Sequence, residues 1–264
     1  MSNSAPATSP SKAQAHEATG RAPLRELIST GCRLMAHTGL APTILGHLSV
    51  RTSPDELFIR CRGPQESGLA YTDAADVHLV PMSGPAELGG WSAPNELPIH
   101  TSILRHRPDV TAVVHAHPAP VVTMSIARLD WLPIVGAYDI PATRLAAGGI
   151  PVWERSVLVN TTELGDDLAR CLADRPVAVL YGHGLVCVGR GSPEHAVAEA
   201  IVNAIAVTSL AEQTLAVRAT GREPAPIPAD DLAQLPDLGS GLNVETMWRF
   251  LTRELAESSA ARTR

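Results

Sequence analysis

Apolar residues recur at helical spacing across residues 22–38, where Leu24, Leu27, Ile28, Leu34 and Met35 repeat and Gly39 supplies the stop. Two short strand-like runs follow, GHLSVR and ELFIRCRG, with a Ser53-Pro54-Asp55 turn between them. Pro98 to Arg107 predicts a helix that stops at Pro108-Asp109, and the β-branched run VTAVVHAHP predicts the strand after it. Residues 119–129 return to a helical pattern, Thr162 is placed to cap a helix reaching about Ala173, and Pro176 to Tyr181 and LVCVG (185–189) read as two more strands. Ser192 followed by Pro193 and Glu194 is a helix start, a capping hydroxyl before a proline in the first turn, and that helix extends to about Thr220. Residues 221–240, rich in Pro, Asp and Gly, predict a surface connection, and Val244, Met247, Trp248 and Leu251 mark a short terminal helix. Helices and strands mix in irregular order with adjacent strand pairs, which favours an α/β fold built on a mixed sheet covered by helices over a doubly wound one.

Composition narrows this picture. A chain of 264 residues suits one large domain. Aromatics make up only 3 %, so Val, Leu, Ile and Ala must fill the core. The net charge of −6, with no long Lys/Arg cluster, gives no reason to expect a nucleic-acid partner. A few local arginines can still receive an anion. Residues 1–21 lack an apolar core and are rich in Ala, Ser and Pro, so they read as a disordered tail and not as a secretory signal. No uninterrupted run of about 18 apolar residues predicts a membrane span. Cys32, Cys61, Cys171 and Cys187 form no CxxC pair, which fits buried thiols in a reduced, cytoplasmic protein. The expected division is a tail (1–21), a catalytic domain (22–220), and a Pro-rich connection with a C-terminal helix (221–264).

The chemistry-bearing residues are histidines. Residues two apart on a strand point to the same face, so His115 and His117 present two imidazoles side by side. Neutral imidazole suits first-row divalent ions, although two hydrogen-bonded histidines at a sheet edge would look the same. His183 lies between glycines in YGHGLV, at the tip of a strand-to-strand turn that permits close backbone approach. It is a ligand or an ordinary turn histidine. Glu96 stands at the mouth of the predicted helix in NELPIH, where an acid also complements the helix dipole. His47 and His100 stay open, and the other histidines read as surface or core residues.

Together these residues carry a resemblance. Glu96, then His115 and His117, then the HG-turn His183 resemble the class II aldolase/adducin family. NELPIHTSILRHRPDVTAVVHAHP is similar to that family's acid-to-HxH stretch, LYGHGLVCVGRGSPEHAVAEAI to its HG turn and following helix, and GHLSVR to its early strand. The likeness covers about residues 24–218. It implies a three-layer α/β/α sandwich with a central, mainly antiparallel mixed sheet. It further implies one divalent ion per subunit on His115, His117 and His183, with Glu96 as acid/base, as a further ligand, or both. Zn, Mn, Fe and Co are not distinguished. Homotetramers with active sites at subunit interfaces are implied as well.

Three neutral imidazoles leave such an ion its full double charge and open positions, which both retro-aldol cleavage and decarboxylation require. The surroundings separate the two. Members acting on sugar phosphates resemble one another in an early GN-x-S strand, a TP-[ST]-G loop and a Ser-Ser before the acid. This chain has His47 in GHLS, CRGPQESG in the loop, and Pro94-Asn95 before Glu96. His47, Arg60 and Arg62 therefore replace small hydroxyls and amides, and guanidinium groups grip carboxylates and stack on planar rings. Arg60 and Arg62 alternate with Ile59 and Cys61, so they share one face, either the site's or a solvated one. RGPQESGLAYT and AYDIPATRLAAGGIPV are similar to the branch that decarboxylates hydroxylated aromatic or pyridine dicarboxylates. Tyr138 falls near that family's catalytic tyrosine region, or is a structural turn tyrosine. The reading is a carbon–carbon lyase acting on an aromatic dicarboxylate in aromatic catabolism. An aldolase or epimerase on a sugar phosphate or sugar acid is the alternative.

Overall fold

In a computed structural model of the chain, residues 12–262 are described. The first helix, α1 (Lys12–His37), starts well before the apolar periodicity and runs through Pro23. Residues 12–21 are thus helical where composition suggests a tail, and residues 1–11 lie outside the described residues. Gly39, at φ +76°, ends the helix in the left-handed region as the sequence predicts.

The strands β1 (His47–Arg51), β2 (Glu56–Arg60) and β3 (Val77–Pro81) form a meander. Then come α2 (Leu97–His106), β4 (Val110–Ala116), α3 (Ala119–Ile126), α4 (Ile140–Gly148) and the short β5 (Val152–Trp153). Helix α5 (Thr162–Leu172) leads to β6 (Val177–Leu180), β7 (Gly184–Arg190) and α6 (Pro193–Ala219). The cap of α5 is Thr161, one residue before the expected Thr162; its side chain accepts from the Leu164 N–H. Ser192 caps α6 as predicted, accepting from the His195 N–H. The connection after α6 contains one further short helix, α7 (Ala229–Gln234). A π-helical turn (Gly241–Thr246) then runs into α8 (Met247–Arg262).

The seven strands form one sheet in the order β3-β2-β1-β4-β7-β6-β5. Every pairing is antiparallel except the parallel β5–β6. Alternation of side chains divides the core in two. Val50, Phe58, Val114 and Cys187 face α1, α3, α4 and α6, while Ile59, Val113, Val186 and Val188 face α2 and α5. This is the expected three-layer sandwich. Helix α6 has the length and apolar composition of a membrane-crossing helix, although polar residues interrupt its apolar run. Here Val197, Ile201 and Val207 of α6 are buried against the sheet.

Candidate metal centre

The cluster is assembled on the α2/α5 face, at one end of β1, β4 and β7. His115 pairs with His47 on one side and Val186 on the other, so the His47 and His115 rings stand side by side with centroids 5.0 Å apart. His117 lies just past the end of β4, and its N–H donates to the Leu40 carbonyl at 3.1 Å. His183 projects from the β6–β7 turn. Gly182 there has φ +60°, a conformation that L side chains rarely adopt, and a Cβ at Gly184 would stand 2.2 Å from the Ala116 carbonyl oxygen. The glycines around His183 therefore bring its turn against the HxH strand. Glu96 occupies the N-cap position of α2 without capping it. Its Oε1 instead accepts from the Val159 N–H at 3.1 Å.

Ligand atoms of Glu96, His115, His117 and His183 all lie within 4.8 Å of one another, an arrangement that could hold a metal ion. Four ligands about 2.1 Å from an ion stand about 3.4 Å apart at the corners of a tetrahedron. Glu96 Oε2 is 3.4 Å from His115 Nε2, and Glu96 Oε1 is 3.5 Å from His183 Nε2. The Nε2 atoms of His115 and His117 approach to 2.8 Å, a distance at which two nitrogens need a proton or a cation between them. His115 Nδ1 is 3.0 Å from the Leu185 carbonyl, which can only accept, so Nδ1 carries the proton and Nε2 keeps its lone pair for the site. His183 Nδ1 is buried with no hydrogen-bond partner among the described residues. Donor types, spacing and the fixed His115 tautomer fit a divalent cation.

Electrostatics agree. Burial, the largest influence, would raise the Glu96 carboxyl, but hydrogen bonding with His115, His183 and His47 outweighs it and holds the group well below the usual carboxylate range. Burial, helped by His115 and His183, takes His117 down to about 3. Burial, with His115 and Arg62 acting in the same direction, takes His47 down to about 4 against the pull of Glu96. The ionised Glu96 carboxylate thus stands beside His47 and His117 imidazoles that burial keeps neutral. The thiols take no part: Cys32 and Cys61 are pushed by burial up to about 12.

Arg60 turns away from the histidines. Ile59 pairs with Ser49, so Ile59 shares the face of His47, and Arg60 points to the opposite, α1-facing side. Arg60 is 4 % exposed and pairs there with Glu66. Of the two faces left open for the arginines, Arg60 thus takes the one away from the histidines. Strand β2 ends at Arg60, and Arg62 forms an isolated bridge with Ser92. Arg62 is the one whose charge acts on His47. Tyr138 is 75 % exposed in a single 3₁₀ turn, on an apolar groove of about 590 Å³ with Ile140, Leu242 and Phe250. No described hydrogen bond or ring contact links it to the cluster.

Two more residues, His100, which the sequence leaves open, and Ser49, which it does not single out, complete the site's inner wall. His100 Nε2 lies 2.8 Å from His47 Nδ1, and Ser49 Oγ lies 2.7 Å from His100 Nδ1. The signals were present: His100 is four residues after Glu96 on a helix, and Ser49 two after His47 on a strand.

Residues 26–215 match the family described as class II aldolase and adducin N-terminal domain. The chain belongs to this family. It is 52 % identical to a 3,4-dihydroxyphthalate decarboxylase of Arthrobacter keyseri over 90 % of this chain and 94 % of that one. A 3,4-dihydroxyphthalate decarboxylase of Rhodococcus jostii is 40 % identical, with 85 % and 93 % covered. Among solved structures, an aldolase II superfamily protein from Pseudomonas syringae superposes with a TM-score of 0.74 at 23 % identity, over 89 % of this chain and 93 % of that one. At that identity the superposition speaks for the fold alone.

Proposed function

We propose that this class II aldolase-family chain is a divalent-metal-dependent decarboxylase of a hydroxylated aromatic dicarboxylate, with 3,4-dihydroxyphthalate, the substrate in its relatives' names, as the leading candidate. The observation that carries the reading is the four-residue cluster of Glu96, His115, His117 and His183, in a chain half identical to enzymes so named. The three histidines and Glu96 would hold the ion, which supplies positive charge to two adjacent substrate oxygens and so an electron sink.

The chain's own residues account for the proton. Glu96 is held ionised, so it enters the cycle as a base. Oε1 is tied to the Val159 N–H, leaving Oε2 to take a proton from a ring hydroxyl and return it to the ring carbon that bears the departing carboxylate. Protonation there interrupts aromaticity. Breaking the C–C bond then releases CO₂, and its electron pair restores the ring. Arg62 and His47 are assigned to the carboxylate that stays. Arg60, paired with Glu66 on the opposite face, supports that site from behind.

The catalytic work is assigned to residues 22–220, with 221–264 as the Pro-rich connection and C-terminal helix, in which Val244 and Leu251 are buried. We further propose a cytoplasmic homotetramer in which the groove around Tyr138 meets a neighbouring subunit. That arrangement gives the tyrosine a route to a site other than its own. Light scattering on the purified protein tests the assembly, with a monomer as the contrary result. The activity itself is tested by CO₂ release from 3,4-dihydroxyphthalate by the metal-loaded protein, with and without a chelator.

A further inference from the structure

The buried chain Ser49–His100–His47 ends at the metal cluster, and its hydrogen-bond logic has one self-consistent direction. Ser49 and His100 are completely buried, and His47 is 4 % exposed. The only hydrogen-bond partner of the Ser49 hydroxyl among the described residues is His100 Nδ1, at 2.7 Å. A hydroxyl has one proton to place, and a buried proton with no acceptor is costly, so Ser49 donates to His100 Nδ1. Since Nδ1 then accepts, the neutral His100 ring carries its proton on Nε2. That proton points at His47 Nδ1, 2.8 Å away. His47 Nδ1 accepts in turn, which leaves its proton on Nε2, the atom facing the cluster 3.8 Å from Glu96 Oε2. The opposite direction would strand the Ser49 proton in the core.

We propose that Ser49 and His100 are positioning residues that lock His47 as an Nε2–H donor, so that His47 receives a substrate carboxylate oxygen and does not ligate the ion. The carboxylate part of this assignment rests on the proposed function; the tautomer part does not. It also explains why His47, adjacent to His115 in the sheet, lies outside the four converging ligand residues. A nitrogen that keeps its proton has no lone pair to give a cation.

The test uses the full-length protein with ¹⁵N-labelled histidine, His47 being assigned by the signal lost in His47→Asn. The lock predicts a protonated Nε2 and a bare Nδ1 for His47, with and without bound zinc. Ser49→Ala, a small change that removes only the hydroxyl, should let the His47 tautomer mix or reverse, and Ser49→Thr should restore it. In steady-state kinetics Ser49→Ala should raise KM for 3,4-dihydroxyphthalate about tenfold, the loss of one hydrogen bond to a charged group, at unchanged zinc content. Ser49→Thr should reverse the rise. A wild-type His47 protonated on Nδ1, or a tautomer indifferent to Ser49→Ala, overturns the lock. Zinc lost together with His47→Asn overturns the donor role, because it makes His47 a ligand. If the wild type fails to turn over any hydroxyaromatic dicarboxylate, the functional reading falls, and the tautomer measurement still decides the lock.

Discussion

Two buried polar groups sit on opposite faces of the same sheet, and they are built to different ends. On the α1 face, Arg60 and Glu66 neutralise each other, and the Gly68 N–H adds a further donor to the same carboxylate oxygen. On the α2 face, Glu96 is surrounded by His47, His115 and His183, with His47 and His117 kept neutral by burial. The first group carries its own counter-ion. The second does not, and its ligand atoms converge on a common point. A buried pair that closes on itself is a structural solution, whereas a buried anion among lone pairs is a receptor for a cation. The contrast separates support from chemistry where residue type alone could not, since both groups contain conspicuous charged residues.

The largest effect that could break this comparison is loss of the ion. His115→Ala should lose bound metal and lower CO₂ release by at least about a thousandfold, read by elemental analysis and by a carbon dioxide assay. Retained metal with retained activity would show that the converging atoms are not the ligands. Next, Glu96→Gln keeps the shape and the contact with the Val159 N–H but loses the base, so kcat should fall about a hundredfold or more, with a folded protein by circular dichroism. A drop confined to KM would contradict the role given to Oε2.

The arginine pair sharpens the comparison. Arg62→Ala should raise KM for the dicarboxylate about tenfold with little change in melting temperature. Arg60→Ala should do the reverse, costing about 2 kcal/mol of stability by stranding Glu66 and leaving KM alone. Exchanged outcomes would place the substrate on the wrong face in this account. The smallest effect is on pH. In metal-free protein, folded-state values of about 4 for His47 and about 3 for His117 lie below the ordinary 6.5. The folded chain then binds fewer protons than the unfolded one across that window. Stability is complete above about pH 6.5 and declines as pH falls toward 4. Melting temperatures of chelator-treated protein should drop by several degrees from neutral to mildly acidic pH, and a flat profile would contradict the neutral-imidazole picture.

Much of this was legible in the sequence because local rules governed it. The HxH pair at the end of β4, the glycine-flanked His183, the Ser192–Pro193 start of α6 and the Gly39 stop each follow from period, φ or capping chemistry. What escaped depended on distant partners. Arg62 forms an isolated bridge with Ser92, and no local pattern announces a bridge across thirty residues of chain. The strand β3, the two-residue β5 and the helix α4 carry weak periodicity, and their pairing and packing define them. The early start of α1 crosses a polar stretch that composition alone assigns to a tail. His100 resembles any buried helical histidine until His47 and Ser49 are seen on either side of it.

The most direct test of the central claim is metal-dependent CO₂ release from 3,4-dihydroxyphthalate. The account predicts stoichiometric CO₂ from the metal-loaded protein, none after chelation, and recovery when a divalent ion is returned. No CO₂ from fully loaded protein, or release that survives complete removal of the metal, would contradict it.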